Sequence, residues 1–153
     1  MIVFLGDSFT WGQGLQIPYW LEQGKSVGEI NKLMPPKFPS EQYDYEADEL
    51  RKKQHFPNLV SKYFNKSYCT KWGNGGSNQD ILEIIKNMGN QMDTSGIDYF
   101  VIQFTEFTRD SNLDNLSPNT SFEQYKEEIV KEIDKTIKNY YNKHWFGLSW
   151  RKD

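Results

Sequence analysis

The chain has 153 residues, enough for one domain with its own core and too few for two. Its 18 basic and 21 acidic residues give a net charge of −3, and the basic residues are scattered rather than gathered into a stripe, which argues against a nucleic-acid partner. The apolar start is about four residues long, far short of a signal-peptide core or a membrane span, so the sequence predicts a soluble, cytoplasmic protein without membrane contact.

That first run, Ile2-Val3-Phe4-Leu5, shows no alternation and fits a strand covered on both faces, in the middle of a parallel sheet. It discharges into Gly6-Asp7-Ser8-Phe9-Thr10-Trp11-Gly12-Gln13-Gly14, a turn at the strand's carboxyl end, where open α/β sheets bind their ligands. Leu15–Gln54 then reads as a connection of about forty residues with Pro18, Pro35, Pro36 and Pro39 and little periodicity; such a length marks a lid, a binding loop or disorder. Its aromatics (Tyr19, Trp20, Phe38, Tyr43, Tyr45) favour a loop that packs. Glu46–Lys53 reads as a short charged helix within it. Pro57 stands at the first position of a helix over 57–65, with Leu59, Val60, Tyr63 and Phe64 at helical spacing.

Ser67–Lys71 reads as a short strand containing Cys69, the one cysteine, a small core residue with no redox or metal role. After Trp72-Gly73-Asn74-Gly75-Gly76-Ser77-Asn78 a helix buries Ile81, Leu82, Ile84, Ile85 and Met88. Asp98–Phe104 is a β-branched and aromatic strand that ends in Thr105-Glu106-Phe107-Thr108-Arg109-Asp110. Beyond a polar loop, Ser111–Thr120, Ser121 and Gln124 have capping-box spacing and open a helix whose stripe runs from Phe122 to Tyr141. Trp145–Trp150 can form a short fourth strand. The alternation predicts an α/β fold: one domain over 1–153, three-layered and flavodoxin-like, a parallel sheet with helices on both faces and a long insertion at 15–54. Ser8, His55, Gly73–Asn78 and Thr105–Asp110 then share the carboxyl edge, and His144 lies at the other.

Ester hydrolysis by serine needs a nucleophile, a base and donors aimed at the oxyanion. Gly6-Asp7-Ser8, directly after the first strand, resembles the first block of the GDSL, or SGNH, hydrolases, whose serine is the nucleophile; the same tripeptide is also an ordinary turn sequence. Gly76-Ser77-Asn78 resembles the second block, in which a glycine after the second strand lends its N–H to the oxyanion hole. It also fits a turn capped by Ser77 or Asn78, or an anion cradle ahead of a helix. The resemblance implies an SGNH-type esterase acting on acyl or acetyl groups of a small-molecule or carbohydrate ester, with no cofactor or metal. Candidate catalytic residues are Ser8, Gly76, Asn78 and His55; candidate substrate contacts are Asp7, Trp11, Thr105, Glu106 and Arg109.

Two family features differ. Where the third block carries Gly-x-Asn-Asp, this chain has Thr105-Glu106-Phe107-Thr108, and Phe107 cannot donate to an oxyanion; Glu106 and Arg109 read as contacts for a polar substrate or, in slight preference, as a surface ion pair. Neither histidine completes an Asp-x-x-His block, since Lys52 precedes His55 and Tyr141 precedes His144 at that spacing. His55, with no evident carboxylate, reads as a solvated loop residue or as a recruited base. Two further readings therefore stand beside the esterase. One is an amino-terminal portion completed by a C-terminal segment or protein partner that bears the base. The other is a non-catalytic module that holds a glycan or protein through the long aromatic loop. Neither glycine loop matches a nucleotide-phosphate fingerprint.

Overall fold

A computed structural model describes residues 1–7, 10, 12, 14–33, 44–72, 76–105 and 121–148. The first apolar run is β1 (Ile2–Gly6), buried at every residue. It lies between β2 (Tyr68–Trp72) and β3 (Tyr99–Gln103), and β4 (His144–Leu148) pairs with β3, so that four parallel strands stand in the order β2-β1-β3-β4. Val3 sits beside Cys69 on one side and Phe100 on the other. The central placement expected for Ile2–Leu5 is what the structure has. The short fourth strand is also present, starting one residue earlier than Trp145; Ser149 and Trp150 lie outside the described residues.

Alternation along β1 serves two layers of helices. Val3 and Leu5, with Phe100 and Ile102 of β3, share a core with α5 (Asn78–Met88) and α6 (Phe122–Tyr141), which contribute Ile81, Leu82, Ile85, Met88, Ile129, Ile133 and Ile137. On the opposite face Phe4 meets the Phe56 ring of α4 (Phe56–Tyr63) edge-on, with centroids 5.5 Å apart. The chain leaves β1 in one direction to reach β2, then crosses back past β1 to β3 and on to β4. Because the direction reverses, a uniform crossover hand puts the two sets of connecting helices on opposite faces. The reversal opens a switch point between the carboxyl ends of β1 and β3, the position at which such sheets form their crevice.

Local signals explain where the helices begin. Ser77 and Asp80 form a reciprocal capping box on α5, and Ser121 and Gln124 form another on α6. Asn142, at φ 51°, ends α6 in the left-handed conformation that asparagine tolerates. Asp44 accepts from the Ala47 N–H at the start of α3 (Tyr45–Gln54), the charged helix expected over 46–53.

Two expectations need correction. The span 15–54 is not a plain connection: besides α3 it holds α1 (Ile17–Glu22) and α2 (Val27–Leu33), while 34–43 lie outside the described residues. These short helices hide from periodicity because each is anchored by one or two residues rather than by a stripe. Trp20, Ile30 and Ala47 make a small satellite core, and the Trp20 indole donates to Asp44 at 2.8 Å. Cys69 is half-buried on an outer strand, not a core residue.

Candidate active site

At the switch point the polar side chains are buried and bonded to one another. Asp7 leaves β1 with 2% of its surface exposed, and Gln103, the last residue of β3, is equally hidden. The Gln103 Nε2 donates to Asp7 Oδ1 at 2.8 Å, and the Thr10 hydroxyl donates to Gln103 Oε1 at 2.8 Å. The polarity is fixed by chemistry. A carboxylate only accepts, so the amide must turn its NH2 to Asp7, which leaves its oxygen for Thr10 and makes Thr10 the donor. Gly6 allows this closure: a Cβ there would overlap the Thr10 hydroxyl and stand 3.1 Å from Gln103 Cβ.

A second brace lies alongside. Asn78, the first residue of α5, is fully buried; its Oδ1 accepts from the Thr105 N–H at 3.0 Å and its Nδ2 donates to the Thr105 carbonyl at 3.3 Å. Ser77 is the cap, with its hydroxyl 3.2 Å from the Asp80 N–H, and Asn78 ties the start of α5 to the end of β3. Gly76 stands half-buried at this helix entrance. Thr105 is 4% exposed, and its hydroxyl has no hydrogen-bond partner.

His55 corrects a sequence expectation. It is not a solvated loop residue but 3% exposed, wedged at the junction of α3 and α4. Its Nε2 lies 3.0 Å from the Tyr68 hydroxyl. Burial follows from the chain path: Gly12, at φ +85°, comes so close that a Cβ would stand 2.8 Å from His55 Cβ. Arg51, one turn earlier, is also buried and pairs with Asp48 at 2.7 Å. The segment after β1 is thus held from two sides, by Gln103 toward β3 and by packing on His55 across from it.

Of the candidate residues, Asp7, Gly76, Asn78 and Thr105 stand at the carboxyl edge, and His55 packs under the same loop. Ser8, Trp11, Glu106 and Arg109 lie outside the described residues. His144 opens β4 opposite Tyr99, at the amino edge. Sequence reasoning missed Gln103. Its signal was present, a lone amide closing Tyr-Phe-Val-Ile-Gln, where a buried strand has no other reason to carry a polar side chain.

Among the described residues no group of His, Cys, Asp or Glu is placed to hold a metal, and no helix is long and apolar enough to cross a membrane. No protein-family model, curated protein or solved structure matches the chain. Fold and edge together define an α/β protein with a four-stranded parallel sheet and a braced polar switch point.

Proposed function

We propose that the chain is a serine-dependent ester hydrolase of the SGNH type, acting on acyl or acetyl esters of a small molecule or carbohydrate. In this scheme Ser8 attacks the ester carbonyl and the Gly76 N–H receives the oxyanion. The observation that carries the proposal is the bracing of Asp7 and Thr10, on either side of Ser8-Phe9, to the end of β3. A nucleophile on such a turn would project at the carboxyl edge, where the entrance of α5 also lies. Asn78 serves by holding that entrance to Thr105, rather than by donating to substrate.

The base limits the rate. The His55 Nε2 lies against the Tyr68 hydroxyl, so for that nitrogen to take the Ser8 proton the contact must break. Loss of one member of a catalytic triad lowers turnover by several orders of magnitude, so the chain alone should hydrolyse activated esters slowly. A complementing segment or protein partner that bears an Asp-x-x-His block would raise the rate. The engagement of His55 with Tyr68 also favours a second reading, a non-catalytic glycan- or protein-binding module on the same scaffold.

Hydrolysis of p-nitrophenyl acetate by the wild type, Ser8→Ala and His55→Gln separates these. Glutamine keeps a polar partner for Tyr68 but cannot act as a base. Slow turnover lost in Ser8→Ala supports the hydrolase, and its loss in His55→Gln as well assigns the base. Equal rates in all three favour the binding module.

A further inference from the structure

Gln103 does more than fill the end of a strand. Its amide is bonded on both sides of the Ser8-Phe9 pair, to Asp7 before it and to Thr10 after it. Two residues three apart in sequence are thereby held by a single rigid plane that belongs to another strand, separated from them by more than ninety positions. The bonds run in one direction, from the Thr10 hydroxyl to Gln103 Oε1 and from Gln103 Nε2 to Asp7. Both are buried, so water cannot take over either one when it breaks.

We infer that Gln103 is a positioning residue: it clips the turn bearing Ser8 to β3 and sets the direction from which the serine meets an ester carbonyl. The inference rests on Ser8 being the nucleophile, as proposed above. Gln103 itself touches no reacting atom in this scheme. Misplacement of a nucleophile by about an ångström can cost two orders of magnitude in rate, so loosening the clip should lower the maximal rate of Ser8 modification and leave reagent binding nearly unchanged.

The direction of the bonds supplies a test that mere burial would not pass. Gln103→Glu replaces the donor facing Asp7 with an acceptor and sets two carboxylates against each other. Asp7→Asn by itself keeps an acceptor oxygen for Gln103. Combined with Gln103→Glu it supplies the missing donor, so the double variant recovers both bonds. The measurements are the labelling of Ser8 by a fluorophosphonate, located by mass spectrometry and resolved into maximal rate and half-saturation, and hydrogen exchange over residues 6–12.

Gln103→Glu should label at least tenfold more slowly at unchanged half-saturation, with faster exchange over 6–12, and the double variant should recover most of both. If Gln103→Glu does not fold, Thr10→Val against Thr10→Ser replaces it, with valine slow and serine near the wild type. Wild-type labelling in Gln103→Glu, or a double variant no better than the single, overturns the inference. A wild type that never labels at Ser8, while exchange still follows the predicted pattern, removes the hydrolase reading and leaves the clip. A flat exchange pattern removes the clip.

Discussion

The two edges of the sheet gather polar groups in opposite ways. At the carboxyl edge Asp7, Thr10, Gln103, Asn78 and Thr105 are all buried, and four of them bond through uncharged amides and hydroxyls that bridge separate elements. At the amino edge Asp98 takes the Met1 ammonium at 2.6 Å and the Lys66 ammonium at 2.9 Å, and all three groups reach solvent. An exposed ion pair is screened and easily replaced by water, whereas a buried amide brace has no substitute partner. One edge can therefore hold a fixed geometry; the other only tethers a terminus.

Substitutions at the two edges should differ accordingly. The largest loss is expected from Asn78→Ala, which strips both backbone groups of Thr105 of their partners in a buried setting, about 2–4 kcal/mol by urea unfolding. A loss below 0.5 kcal/mol would make the brace incidental, on the order of an ordinary surface change. Next is Gly6→Ala. Its methyl would press on Thr10 and should cost about 1–3 kcal/mol. In a double-mutant cycle with Thr10→Gly, which removes both the obstruction and the bond to Gln103, the Gly6→Ala step should cost less than it does in the wild type.

How much of this contrast could be read in the sequence depended on how local its causes were. The strand runs and the Ser121–Gln124 capping box are written in neighbouring residues, and those elements stand where the sequence puts them. The short helices α1 and α2 and the burial of His55 depend on contacts between distant segments, through Trp20 with Ala47 and Gly12 with His55. Gln103 is the intermediate case. Its identity stood out in an apolar strand, but its partners became visible only once β1 and β3 were neighbours.

The smallest effect belongs to the amino edge. The Met1 ammonium, and after it Lys66, hold the Asp98 carboxyl down to about 2 from an ordinary 3.8. Since the folded value is the lower one, the stabilisation is present above 3.8 and is lost as pH falls toward 2. Asp98→Asn should therefore lower the melting temperature slightly at neutral pH and much less near pH 2, and the difference should shrink in high salt. A difference that survives both acid and salt would place Asp98 in a buried network like that of the other edge.

The proposed nucleophile, Ser8, is tested most directly by trapping. With the His55 Nε2 held against the Tyr68 hydroxyl and His144 at the opposite edge, an acetyl group delivered by p-nitrophenyl acetate should leave Ser8 more slowly than it arrives, so the modified protein accumulates. Mass spectrometry of the wild type after brief exposure should find one acetyl group, carried on Ser8 and absent from Ser8→Ala. Acetyl groups spread over lysines, with Ser8 unmodified and Ser8→Ala reacting to the same extent, would contradict a nucleophilic serine.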